Sequence, residues 1–130
     1  MKMQNIVMWV CKIMAAAIML QTLFFKFSAA PESVYIFSKV GIEPWGRLAT
    51  GVAELIASTL ILIPKTTIYG ALLGAGIMGG ALLTHIFILG IIVQDDGGQL
   101  FVYALLVLIS CLYLIWISRD KLFSLLPFSK

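Results

Sequence analysis

RLATGVAELIASTLILI, residues Arg47 to Ile63, is the stretch from which the rest of the chain can be read. After its opening arginine it is apolar, small or hydroxylic throughout, with one exception near the middle, the carboxylate of Glu54. A charge at such a depth costs about 2.5–3.5 kcal/mol even on permissive insertion scales, so Glu54 is expected to face protein or water rather than lipid. The question for the other segments is what they present to it.

Composition sets the class. The 130 residues are 62% hydrophobic and only 12% charged, with a mean hydropathy of +1.07. A soluble domain of this length lacks the interior to bury so much apolar surface. The chain therefore reads as a single all-α integral membrane domain. Its net charge of +3 comes from scattered Lys and Arg, a topology signal rather than a nucleic-acid footprint. A single histidine excludes bis-His haem and a multi-His metal cage from one chain, and no CxxC pair is present. No metal site is expected.

Four spans follow from the apolar runs, at about residues 6–25, 47–63, 68–92 and 99–117. The first resembles a signal peptide in its leading Lys2 and its Ser28-Ala29-Ala30 end. It is too long for a signal core and contains Lys12, so it reads as an uncleaved span with Lys12 in snorkelling reach of the interface. Between the first two spans, Pro31 and Glu32 suit a helix start and Gly41-Ile42 a helix end. This predicts a short interfacial helix, followed by Trp45 at the membrane boundary. Pro64 to Thr67 leaves room only for a tight turn, which makes the second and third spans an antiparallel hairpin. In the third span Gly70 with Gly74 and Gly76 with Gly80 have the small-xxx-small spacing of close helix packing. Gln94 to Gly98 is a polar turn. The expected fold is a four-transmembrane-helix antiparallel bundle with an interfacial helix between helices one and two.

Charge near the span ends orients the bundle. Lys2, Lys12, Lys65, Arg119, Lys121 and Lys130 share one side; Lys26, Lys39 and Arg47 share the other. The excess predicts cytoplasmic N- and C-termini in an inner (plasma) membrane, with the long connection and Asp95-Asp96 facing outward.

Depth then brings the polar groups together. Glu54 is seven residues inside Arg47, and His85 seven residues inside Ile92. At 1.5 Å per residue both lie roughly 10 Å below the outer boundary, on neighbouring helices. Lys26 closes the first span at that boundary with Gln21 about a turn deeper, and Gln99 and Tyr103 open the fourth. Glu54, His85, Lys26, Gln21 and Tyr103 are thus candidates for an outward-facing polar pocket binding a small amphiphile, an ion or a proton. The competing reading is a buried polar network that only fixes helix register. Cys11 and Cys111 match in depth near the reducing side and read as inert apolar cysteines.

In order and spacing these features resemble the DoxX family of small four-helix membrane proteins, in its DoxX-like branch. The pattern is Lys26-Phe27 after the first helix, Gly41-Ile42-Glu43-Pro44 closing the loop, Gly51 with Glu54, Leu62-Ile63-Pro64, and a Gly- and Ala-rich third helix holding His85. The resemblance covers nearly the whole chain. It implies the fold and a link to quinone-associated or membrane redox systems, while the cysteine pairs of redox-associated relatives are missing here. The expectation is a membrane protein whose pocket takes a quinone or similar amphiphile, among membrane lipids and beside a redox-enzyme partner. A homo-oligomer, a small proton-coupled transporter and a non-catalytic scaffold or assembly factor stay open as alternatives.

Overall fold

A computed structural model describes residues 2–92 and 97–120. The Asp95-Asp96 turn, Gln94, Lys121 and Lys130 lie outside them, as does the Lys2 side chain. The described residues hold five α-helices: α1 (Lys2–Phe27), α2 (Pro31–Val40), α3 (Trp45–Leu62), α4 (Thr67–Thr84) and α5 (Gln99–Ile117). Four helical stretches are long and apolar enough to cross a membrane: Met3–Phe27, Trp45–Leu62, Pro64–Leu89 and Gln99–Ile117. The chain is an all-α membrane protein.

Each break in the helices has a local cause. After α1 the chain turns through Ala29, at φ +57°, and restarts at Pro31, whose missing amide costs nothing at the first helical position. Gly41, at φ +90°, closes α2: its amide donates to the carbonyls of Phe37 and Ser38, and the Ile42 amide returns to Phe37 at 2.9 Å. Ile63 precedes a proline and is pushed to an extended ψ of 119°, which ends α3. The freed carbonyls there are taken up by threonines. Thr66 Oγ1 donates to Leu60, and Thr67 Oγ1 to Ile61 and Ile63, at 2.9, 2.9 and 3.0 Å. Toward the hydrocarbon, where water is scarce, such satisfaction has to come from the chain itself.

The spanning helices pack in a ring in which α1 touches α3 and α5, and α4 touches α3 and α5. On α3 the buried positions are Gly46, Arg47, Gly51, Glu54, Ala57, Ser58 and Ile61, a helical stripe that carries small and polar residues at one end and apolar ones at the other. The packed core follows the same division. Met19, Ile61, Ala71, Val107, Cys111 and Leu114 fill the half of the bundle away from α2.

Glycine sets the approach of the helices in that half. A Cβ on Gly70 would sit 2.6 Å from the Ile61 nitrogen and 2.7 Å from the Ala57 oxygen, so α4 rides directly on the α3 backbone. One on Gly74 would meet Cys111 Sγ at 2.8 Å. Gly76 and Gly80 share the spacing but have nothing within 4 Å, so at this second pair the expected close packing gives way to open space. Lys12 also departs from expectation. It lies inside the bundle, 2% exposed, with its ammonium 4.2 Å from the Trp9 ring centroid. A cation held over an indole face keeps a favourable electrostatic partner without leaving the bundle.

Candidate functional site

The half of the bundle toward α2 is hollow. A cavity of about 630 Å³ opens there between α1, α3, α4 and α5, with α2 across it. Its walls are mostly apolar, and Glu54, His85, Lys26, Gln21 and Tyr103 all line it. Gly76, Gly80 and Ala81 form one wall of small residues, which accounts for the two glycines that touch nothing.

Glu54 is 3% exposed and faces Lys26: Lys26 Nζ lies 2.9 Å from its Oε1. Thr22 Oγ1 lies 3.4 Å from the same oxygen, a weaker contact, because its one proton goes first to the Met19 carbonyl at 2.8 Å. Thr22 and Lys26 are four apart on α1 and so share a face, a spacing that could have marked Thr22 from sequence. Lys26 closes α1, and its ammonium turns inward along that face rather than outward to the boundary.

His85 is held differently from expectation. Depth made it the natural partner of Glu54, but its Nδ1 faces the Gly90 carbonyl at 3.0 Å. The cause is local. From His85 to Leu89 the helix widens into a π turn, closed by the Gly90 amide donating to the His85 carbonyl at 2.6 Å. Gly90, at φ +83°, then curls its own carbonyl back over the ring. Such widened turns are frequent at functional sites. A carbonyl only accepts, so Nδ1 carries the proton, and in a neutral ring Nε2 is left as acceptor. Phe101 of α5 fixes the imidazole from the side, edge to face at 5.7 Å. The apolar run read as helix to Ile92 therefore leaves the helix at Leu89.

On α5, Gln99 Nε2 donates to Tyr103 Oη at 2.8 Å, which leaves the tyrosine proton free to be donated elsewhere. Beside the cavity mouth Arg47 makes a contact that its reading as a boundary charge did not predict. Its Nε and Nη2 bind the Glu43 carboxylate at 2.9–3.1 Å, and its Nη1 donates to the Lys26 carbonyl. The guanidinium therefore joins the end of α1 to the start of α3.

The arrangement can take a compact polar head. It offers an ammonium and a carboxylate on the α1/α3 side, an imidazole acceptor on the α4 side, a phenol on α5, and apolar walls between. Among the described residues, no three His, Cys, Asp or Glu side chains come together as a metal site would need. Cys11 and Cys111 are free thiols, Cys111 fully buried beside Gly74 and outside the cavity lining.

Comparison with known proteins gives one match. A family model described as "DoxX-like family" covers residues 10–113 of this chain. No curated protein and no solved structure matches it.

Proposed function

The chain belongs to the DoxX-like family, and from that premise we propose that its cavity binds a small amphiphile of the quinone class as the membrane partner of a redox system. The supporting observation is the convergence of Glu54, Lys26 and His85 on one apolar-walled space of about 630 Å³, within the size range of small-molecule sites. A quinone carbonyl would accept from Lys26 or Tyr103. A quinol hydroxyl would donate to His85 Nε2, the ring nitrogen that the Gly90 carbonyl leaves unused. Glu54, paired with Lys26, would orient that ammonium and provide a second proton acceptor. The protein would sit in the inner membrane with cytoplasmic termini, so that the cavity opens toward the outer leaflet, as the Lys and Arg distribution supports.

A second reading has its own observation. The Lys26–Glu54 pair satisfies both groups, and a satisfied pair can fix helix register with no ligand. The two are separated by purifying the protein in mild detergent and extracting it for quinones by mass spectrometry. The binding reading expects stoichiometric quinone and a melting temperature that rises on adding decylubiquinone. Empty extracts together with an unmoved melting temperature would leave only the structural role.

A further inference from the structure

We propose that the ligand is a tailed amphiphile whose head occupies the cavity and whose apolar chain leaves sideways through the seam between α1 and α5. This deepens the binding reading above and rests on it. The observation is a second, shallower hollow of about 270 Å³ on the outside of the bundle, lined by Ala17, Ile18, Gln21 and Tyr103. Three of these four, Ile18, Gln21 and Tyr103, also line the cavity. Outer groove and inner cavity thus lie on either side of shared side chains, two on α1 and one on α5, so that a rotation of these side chains is all that parts the bilayer from the space holding the Lys26–Glu54 pair.

The residues along this path change character in the order a head and tail require. Ala17 belongs to the groove alone, and Ile13 and Leu20 beside it on α1 are exposed, as a lipid-facing surface should be. A small residue among larger ones leaves a depression that an alkyl chain can fill, removing apolar surface on both sides from less well packed contacts. Gln21 is one turn further along the same face, exposed where it meets the membrane, and Tyr103 stands opposite. An amide and a phenol about one turn below the boundary sit where the headgroup region gives way to hydrocarbon. The junction between a polar head and its tail, with carbonyl or ether oxygens, is the chemistry they match: Tyr103 has its proton to give, and Gln21 its amide. Beyond them lie the charged pair and the imidazole.

The alternative route, from the aqueous side under α2, would make no use of a groove on the lipid face. The two are distinguished with the full chain in lipid nanodiscs and two probes, decylubiquinone and the same benzoquinone head without its decyl tail. Ala17→Phe fills the groove from a position that does not itself line the cavity, packing against the groove side of Ile18, Gln21 and Tyr103. We expect it to weaken decylubiquinone binding about tenfold, the worth of roughly two buried methylenes, and to leave the tail-less probe unchanged. The milder Ala17→Leu should give a smaller loss in the same direction. It decides the matter if the phenylalanine variant does not fold, a failure that its thermal melt would reveal. Undiminished decylubiquinone binding in the folded variants overturns the seam and leaves the binding reading standing. Failure of the unsubstituted protein to bind either probe overturns both.

Discussion

At Glu54 a single position serves two purposes, holding α1 to α3 and presenting charge to a cavity, and substitution can separate them. Glu54→Gln strands the Lys26 ammonium, which approaches the carboxylate to 2.9 Å but keeps 15% of its own surface exposed. Breaking a fully buried pair costs about 3–5 kcal/mol, and the residual exposure of Lys26 should keep the loss below that. Replacing both partners, Lys26→Met with Glu54→Leu, removes the stranded charge and should regain most of the stability lost. Quinone retention should not return with it. Thermal melts in detergent with quinone quantified on the same samples measure both. If the double variant retains quinone as well as the unsubstituted protein does, recognition does not run through this pair. His85 differs in that its Nδ1 bond is to Gly90 on its own segment, so its position depends on the π turn rather than on a partner helix.

Among the elements, α4 carries the clearest contrast. Gly70→Ala would drive a methyl into backbone atoms of α3 that cannot swing aside, and overpacking of that kind costs typically about 1–3 kcal/mol. Gly79→Ala meets nothing within 4 Å and should be neutral or stabilise by about 0.5–1 kcal/mol, since alanine is the better helix former. Equal effects in thermal melts of the two variants would refute the packing described for this hairpin. The sequence spacing of these glycines is the same kind of signal throughout, and it separated neither pair from the other. What separates them is rotation about the helix axis, which small-xxx-small counting does not contain. The same limit explains the site. Depth along a helix is additive at 1.5 Å per residue, so Glu54, His85, Lys26, Gln21 and Tyr103 were all legible as neighbours in height, and all five line one cavity. Which of them touch depends on azimuth. The π turn makes this harder still, because a widened turn from His85 to Leu89 breaks the period on which any such estimate relies. Arg47 was legible as a boundary charge, but its reach to the Lys26 carbonyl depends on how the interhelical connection folds back.

For the whole molecule, the packed half and the hollow half impose a polarity along the membrane normal. Gly70, Gly74, Cys111 and Leu114 belong to the first; Glu54, His85 and Gln99 to the second. With cytoplasmic termini, the hollow half faces the outer leaflet. A green fluorescent protein fused after Lys130 should then fluoresce, and alkaline phosphatase fused there should be inactive. The opposite pattern would invert the molecule and turn the cavity toward the cytoplasm. The apolar side chains exposed on every spanning helix, such as Ile13, Leu55, Leu83 and Ile109, are what a lipid-facing surface requires.

Arg47 has a consequence for how the chain can change over time. By holding the Lys26 carbonyl on one side and the Glu43 carboxylate on the other, it acts as a clasp between the two ends of residues 27–43. It works beside the Ala30 amide, which donates to the Phe25 carbonyl at 3.0 Å, and beside the packing of α2 on α1, α3 and the π turn. Lengthening a closed surface loop costs little, about 0.6 kcal/mol for each doubling. Residues added in the turns that flank α2 should therefore leave the ends of α1 and α3 where they are, while changes within α2 alter the wall that Ile36, Phe37 and Val40 give the cavity. The clasp thus keeps the floor of the cavity, Glu54 with Lys26, in register beneath the α2 roof.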